Sequence, residues 1–407
     1  MKKKTVIRAL GALESWAWQI DAVSPKNFSV TAEVSGCTTI DGWSKALKDV
    51  QSRHPLINAY VDTSNDGRLY FFHNHTVEIP LRVSRLNKTS FIEEEIQREF
   101  FTPLNISDTA LLKAALLYSE ERCVIILTSH HAIADGRSLA YFIYDVLQRL
   151  AGNAQPDLTL LPSIEDLCSP NIDPIGDIKK PSFTSKPVPY TERSLAKLKI
   201  TRERLSPEFS TLIRKRAKQE RTTVHGALSA AVACSLYKSP GWDERPVRIC
   251  TPIDARKYSR LDYGLCFLAL FPTYSYHTAE PDMFWDISRS ITDDLSYYRE
   301  KSGMTALVDL LEPYMNNHGL EKMIYFDREI CAPDLMISNL GVLPFTKNLG
   351  ELKIESIWGP NILIGTKGEQ NIGVSTINDS IHLIHASYQS IPDLLEDAKK
   401  ILLMATK

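Results

Sequence analysis

Residues 128–138 read TSHHAIADGRS, with a histidine pair followed four residues later by Asp135-Gly136. An apolar run, CVIIL at 123–127, comes just before this stretch, and the apolar-periodic sequence SLAYFIYDVLQRL at 138–150 follows it. The apolar run predicts a buried strand and the periodic sequence predicts an amphipathic helix, with Ser138 as its N-cap. The Asp-Gly turn joins the two. A turn at the end of a strand is where a rigid scaffold presents side chains to a cleft.

The residue types in this turn suit acid–base chemistry. His131 is a candidate general base because an unperturbed imidazole titrates near neutral pH. Asp135 is suited to hold the loop by an ion pair or by backbone hydrogen bonds, and Gly136 permits a positive φ or a close backbone approach. A histidine pair alone is more often a packed polar turn. The full pattern His-His-x-x-x-Asp-Gly between a strand and a helix favours a functional site.

The chain of 407 residues is longer than one hydrophobic core usually serves, which favours two domains. Seven prolines between residues 156 and 190 disfavour helix and central strand there. We therefore expect a first half at 1–155, a proline-rich crossing linker at 156–190 and a second half at 191–407. LINAYV at 56–61 is expected to form a strand. Strands and helices mix without strict alternation, so the predicted fold class is α+β, with mixed sheets packed as an α/β sandwich.

Composition excludes several classes of protein. The formal net charge of −2 gives no basic footprint for nucleic acid. Seven scattered cysteines without a CxxC pair argue against a disulfide framework and against a zinc site, and the remaining histidines show no ligand spacing, so no metal is expected. No apolar run is long enough for a membrane span or a signal peptide, and we expect a cytoplasmic protein.

The HHAIADG segment resembles the HHxxxDG motif of the acyltransferase superfamily that includes chloramphenicol acetyltransferase, condensation domains and polyketide-associated and alcohol acyltransferases. Weaker similarities extend over most of the chain. They are LGALE at 10–14, RHPLI at 53–57, TPIDARK at 251–257 with DYGLCFLALFP at 262–272, and ISNLGVLPF at 337–345.

The resemblance implies two chloramphenicol-acetyltransferase-like halves that form a pseudo-dimer, with an active-site tunnel between them. It implies that His131 takes a proton from the acceptor as that group attacks a thioester carbonyl, without a covalent enzyme intermediate. Asp135 is then structural and pairs with an arginine, for which Arg256 is the best candidate. His130 is expected to orient the loop.

The tetrahedral oxyanion needs a donor. The Gly136 N–H and the Ser338-Asn339 pair are candidates, although strand-end hydrogen bonding explains that pair equally well. The expected donor substrate is acyl-CoA or an acyl-carrier protein, the acceptor is a small alcohol or amine, and no cofactor is expected. Because a pseudo-dimer contains both halves of the site in one chain, it does not need to form a trimer, and we expect a monomer.

Differences from the sequence patterns of single branches of the superfamily indicate which branch this chain resembles. The plant enzymes of the superfamily carry DFGWG late in the chain, whereas the nearest match here is DYGLC at 262–266. The sequence therefore favours a stand-alone acyltransferase of secondary metabolism (natural product biosynthesis) that forms an ester. A stand-alone condensation enzyme that forms an amide remains an alternative, and so does a non-catalytic homologue that only binds a ligand.

Overall fold

The computed structural model describes residues 5–74, 76–87, 91–104, 110–168, 181–182, 184, 186–243, 245–258, 261, 263–277, 283–315 and 319–407. Two six-stranded mixed sheets form the centres of two lobes, and helices pack against them. The predicted class, α+β with mixed sheets in two halves, is confirmed.

Helices and strands alternate irregularly along the chain. The helices in the described ranges are α1 (Ala12–Ile20), α2 (Ile40–Arg53), α3 (Ile92–Phe101), α4 (Gly136–Leu150), α5 (Ile164–Leu167), α6 (Pro207–Gln219), α7 (Val224–Tyr237), α8 (Phe284–Ser296), α9 (Lys301–Met315), α10 (Leu320–Tyr325) and α11 (Leu394–Ala405). The strands in the same ranges are β1 (Val6–Ala9), β2 (Asn27–Ser35), β3 (Ala59–Thr63), β4 (Leu69–His73), β5 (Leu81–Arg85), β6 (Leu112–Tyr118), β7 (Arg122–His130), β8 (Lys199–Arg204), β9 (Val247–Cys250), β10 (Ile253–Asp254), β11 (Ala269–Leu270), β12 (Thr273–Tyr276), β13 (Leu335–Val342), β14 (Asn348–Leu349), β15 (Leu352–Asn361), β16 (Gln370–Ile377) and β17 (Ser380–Ser387).

The first sheet has the order β14-β15-β2-β7-β6-β5, and its pairs are antiparallel except β5–β6. Strand β7 is buried on both faces after its first residue, which explains its continuous apolar sequence. In the register of β2 and β7, Asn27 lies opposite His130. The start of β2 and the end of β7 therefore meet at the histidine pair.

The second sheet has the order β12-β9-β13-β16-β17-β8, with β13 parallel to both β9 and β16. Helix α7 is almost entirely buried, so its apolar sequence lacks a polar face. Ser206 and Thr223 cap α6 and α7 through their side-chain oxygens. Two smaller sheets, β1-β4-β3 and β10-β11, complete the architecture of the described residues.

The two sheets do not follow the predicted sequence boundaries strictly. Strand β15, from the range 191–407, pairs with β2 over Lys353–Ser35 to Asn361–Ser29 and so extends the first sheet. The segment predicted as a linker contacts the first half through Leu158, whose N–H donates to the Arg53 carbonyl, and the second half through Val188, whose N–H donates to the Arg328 carbonyl. Residues 169–180 of that linker lie outside the described residues.

Two local expectations are corrected. LINAYV is not one strand, because residues Pro55–Asn58 form a 3-10 turn and β3 begins only at Ala59. Helix α4 is capped by Asp135 rather than by Ser138, as described below. Among the helices that the structure describes, none combines the length and the apolarity needed to cross a bilayer.

Candidate active site

The HHxxxDG loop connects β7 to α4 and is fixed by backbone hydrogen bonds. The His131 N–H donates to the Lys26 carbonyl at 2.8 Å, and the Ile133 N–H donates to the His130 carbonyl at 3.2 Å. Because β2 begins at Asn27, directly after Lys26, the N-terminal end of this strand sets the position of His131.

His131 lines a pocket between the two halves. Its ring is stacked on Phe28, with the ring centroids 4.2 Å apart, and lies against Phe267 at 4.7 Å. Phe28 belongs to the first half and Phe267 to the second. The imidazole is therefore held between one phenyl ring from each half.

The tautomer of His131 follows from its hydrogen bond. Nδ1 lies 3.1 Å from the Ala134 carbonyl oxygen, and a carbonyl can only accept, so Nδ1 carries the proton. Nε2 is then the basic nitrogen. Burial is the main cause that lowers the pKa of His131 to about 3, and the neighbouring His130 lowers it further. At neutral pH the imidazole is neutral and able to accept a proton.

His130 is buried beside the pocket and supports the loop. Its Nδ1 accepts the Ala132 N–H at 3.0 Å, and its Nε2 lies 3.3 Å from Asp21 Oδ1. Its ring packs edge-on against Trp18 with a centroid distance of 5.4 Å. These contacts suit the orienting role expected for His130.

Asp135 is buried and joins the loop to both halves. One oxygen, Oδ1, accepts the Ser138 N–H at 2.9 Å, and the Ser138 hydroxyl is 3.0 Å from the Asp135 N–H, which makes a reciprocal capping box. The other oxygen, Oδ2, accepts from Arg256 Nη1 at 2.6 Å and from the Leu268 N–H at 3.0 Å. Burial would raise the pKa of Asp135, but Arg256 and these N–H groups hold it below its ordinary value.

Arg256 makes the contact that the sequence led us to expect. Besides Asp135, its Nη1 donates to Asp254 Oδ1 at 3.1 Å, and its Nη2 donates to the Cys266 carbonyl at 2.9 Å. Its side chain is only 2% exposed, so the guanidinium group is buried and does not lie on the surface. Both oxygens of the Asp135 carboxylate are thus occupied by hydrogen-bond donors of the protein.

The oxyanion candidates also border the pocket. Gly136, Ser338 and Asn339 line it, but the Asn339 side-chain oxygen accepts the Gly341 N–H at 2.8 Å. Gly136 does not have a positive φ, and a Cβ there would lie 2.7 Å from Pro360 Cγ. Close approach to Pro360, and not a positive φ, is thus what requires glycine at this position.

The pocket encloses about 840 Å³ including its mouth. Arg137 and Asp254 lie at its more exposed side, where Arg137 Nε is 3.7 Å from Asp254 Oδ2. The buried side is mainly apolar and includes Trp16, Phe267 and Met336. In the described part of the chain, no cluster of three or more histidine, cysteine or acidic side chains could hold a metal ion.

Several lining residues were not found by sequence reasoning. Lys26, directly before β2, and Arg137, within the motif stretch itself, line the pocket, and Phe28 of β2 stacks on the His131 ring. Phe267 lies in the DYGLCFLALFP segment, whose similarity to the family assigns no role to this ring. An apolar strand residue carries no local signal that it faces a cleft.

Two family profiles match parts of the chain. The condensation-domain family profile matches residues 22–158, which include the HHxxxDG loop. The profile described as phthiocerol/phthiodiolone dimycocerosyl transferase C-terminus matches residues 195–262, which include Arg256. Each profile thus matches part of one of the two halves that meet at the pocket.

Curated relatives and solved structures point the same way. A plipastatin synthase of Bacillus subtilis is 23% identical over 60% of this chain, and bacitracin synthase 3 of Bacillus licheniformis is 24% identical over 58%. The chain spans only 7% and 4% of these proteins.

Polyketide synthase associated protein 5 from Mycobacterium tuberculosis is similar in fold, with a TM-score of 0.67 and 18% identity over 100% of this chain and 99% of that one. The first condensation domain of the calcium-dependent antibiotic synthetase gives 0.69 and 15% over 100% and 97%. The chain is therefore similar to condensation domains and polyketide-associated acyltransferases, and it shares their chloramphenicol-acetyltransferase-like fold.

Proposed function

We propose that this protein transfers an acyl group from a CoA or carrier-protein thioester to a hydroxyl group, forming an ester. The observation that carries the proposal is the state of His131, whose Nδ1 is tied to Ala134 while its ring borders the pocket between the halves. Nε2 is left to take the acceptor proton, and the acceptor oxygen attacks the thioester carbonyl directly.

The steps balance without a covalent enzyme intermediate. The acceptor oxygen forms the new bond to the carbonyl carbon as its proton moves to His131 Nε2. The tetrahedral oxyanion then collapses, the carbon–sulfur bond breaks, and the His131 proton goes to the leaving thiolate. The Gly136 N–H, at the first turn of α4, is our candidate donor to the oxyanion, with Ser338 as a second candidate.

Amide formation is a second candidate function. The condensation-domain profile over residues 22–158 and the similarity to the plipastatin synthase favour it. Both reactions use the same base and the same class of donor, so they differ only in the acceptor. We favour the ester because the second half matches a transferase profile.

The test measures release of free thiol from a panel of acyl-CoAs and acyl-pantetheine thioesters, with pooled alcohols, with pooled amines and without acceptor. We expect release that depends on alcohols in the wild-type protein. In His131→Ala the rate should fall about 10²- to 10⁴-fold, because the general base is lost.

The exposed histidine variant His277→Ala is the matched control and should keep wild-type activity. A response to amines alone would replace ester by amide formation. A further outcome is that the protein binds thioesters and releases no thiol in response to acceptors. If carrier-bound donors gave the same result, the alternative of a non-catalytic homologue that only binds a ligand would be favoured. Equal rates in wild type and His131→Ala would disprove the role of His131.

A further inference from the structure

Lys26 is a buried cation in the pocket wall, directly before β2. Its Nζ donates to Asp327 Oδ2 at 2.8 Å, to Ser24 Oγ at 2.9 Å and to the Ile364 carbonyl at 3.2 Å. An ammonium group has three N–H donors, and all three are used here. Lys26 is therefore not available as a hydrogen-bond donor to a substrate.

Asp327 brings the opposite charge from the second half. It lies in a single π-helical turn, Phe326–Ile330, after α10, and its side chain is fully buried. Its Oδ2 also accepts from the Tyr190 hydroxyl at 3.1 Å. The Lys26–Asp327 pair thus joins the start of β2, in the first sheet, to a residue that lies 301 positions further along the chain.

The backbone of Lys26 connects this ion pair to both motif histidines. Its carbonyl accepts the His131 N–H at 2.8 Å. Its own N–H donates to Asp21 Oδ1 at 2.6 Å, and this same oxygen lies 3.3 Å from His130 Nε2. A displacement of Lys26 would therefore move the peptide group that carries the imidazole.

Two buried ion pairs of opposite polarity join the halves around His131. In one, the first half supplies the anion Asp135 and the second half the cation Arg256. In the other, the first half supplies the cation Lys26 and the second half the anion Asp327. Burying a charge pair usually contributes little net stability compared with apolar residues of the same size. A positioning role explains better why charges stand in the wall of a mainly apolar pocket.

We propose that the Lys26–Asp327 ion pair is a positioning device that fixes His131 relative to the second half of the protein. The proposal rests on the function proposed above, and it assigns Lys26 no contact with the reacting atoms. The pair holds the Lys26 carbonyl, and through it the imidazole, at the distance from Phe267 and the second half that the reaction requires.

The test is the double variant Lys26→Met/Asp327→Asn, which keeps the approximate size of both side chains and leaves no unpaired buried charge. We expect kcat to fall about 10- to 100-fold, since a misplacement of about 1 Å has effects of this size. KM should change by less than about twofold, because substrate contacts are kept. The ¹⁵N resonances of the His131 imidazole, assigned by their loss in His131→Ala, should shift.

The matched control is Arg149→Met/Asp49→Asn, which neutralises a partly exposed pair of 2.7 Å between α4 and α2, away from the pocket. It should leave kcat and the imidazole resonances unchanged. The positioning role would be overturned if the Lys26/Asp327 variant kept wild-type kcat and wild-type imidazole resonances. It would also be overturned if the variant lost thermal stability alone. Because the resonances need no turnover, they decide the positioning role even if the wild type fails to transfer acyl groups.

Discussion

Asp135 and Arg256 form a buried ion pair across the boundary between the two halves, with Nη1 2.6 Å from Oδ2. Asp135 also caps α4 through Ser138, so one carboxylate sets both the start of the helix and its distance from the second half. The loop that carries His131 is thereby fixed at its C-terminal end.

Asp135→Asn should destabilise the protein, because the change leaves Arg256 buried with only Asp254 to balance its charge. Removing one partner of a buried pair costs about 3–5 kcal/mol. Chemical denaturation should show this loss, together with reduced acyl transfer. Asp254→Asn is the comparison, since Asp254 is more exposed, and it should cost less. If Asp135→Asn were as stable and as active as the wild type, the structural role of Asp135 would be wrong.

Gly136→Ala should damage the site by a steric route. The new methyl group would lie 2.7 Å from Pro360 Cγ and 3.2 Å from Leu340 Cδ2. A proline ring cannot turn away, so the loop must shift, at a cost of about 1–3 kcal/mol. Thermal melting and the thiol-release assay measure the two effects. Gly264→Ala is the matched control, because its nearest neighbour, Leu161 Cδ1, would be 3.5 Å from the added Cβ. Equal behaviour of the two variants would contradict this explanation.

Phe267→Leu should reduce kcat/KM by more than its loss of stability can explain. It removes the ring from the second half that faces the imidazole at 4.7 Å, while Phe28 remains on the other side. Aromatic pairs contribute about 0.5–1.5 kcal/mol beyond area burial, which corresponds to a roughly 2- to 10-fold loss of kcat/KM. Phe284→Leu removes a buried ring of the second half that does not line the pocket. An equal kcat/KM for both variants would show that holding the His131 imidazole between two phenyl rings has no effect on catalysis.

Local patterns in the sequence predicted the elements that local energetics decide. The apolar run of β7 and the amphipathic helix α4 both follow from short-range rules, and both are present. The shift of the α4 cap to Asp135 shows the limit of such rules, because Ser138 is also a good capping residue and serves at the third helical position.

Long-range pairing was not predictable in the same way. Nothing near Lys26 indicates Asp327, and nothing in β15 indicates that it pairs with β2 of the other half. The Asp135–Arg256 contact was expected only because the family resemblance suggested it. Side chains that meet at the site, such as Phe28 and His131, come together through sheet register, which one sequence alone does not specify.

Lowering the pH below about 6.5 should destabilise this protein, because several of its histidines are buried in the neutral form. Burial lowers the pKa of His131 to about 3 and the pKa values of His225, His382 and His385 to about 4. In the unfolded chain these histidines titrate near pH 6.5. Below that pH the unfolded state binds more protons than the folded state, so stability falls as the pH falls. Each such histidine contributes up to about 1.4 kcal/mol per pH unit in this window.

One group opposes this trend. Burial raises the pKa of Glu369 to about 7, so this carboxyl binds its proton more readily in the folded state and favours folding as the pH falls from about 7 towards 4.5. Four histidines outweigh one glutamate, and we expect the melting temperature to be constant above pH 7 and to fall between pH 6.5 and 5. His385→Gln should make the melting temperature fall less steeply with pH, and Glu369→Gln should make it fall more steeply. A melting temperature that is independent of pH from 7.5 to 5 would mean that these histidines do not stay neutral in the folded protein.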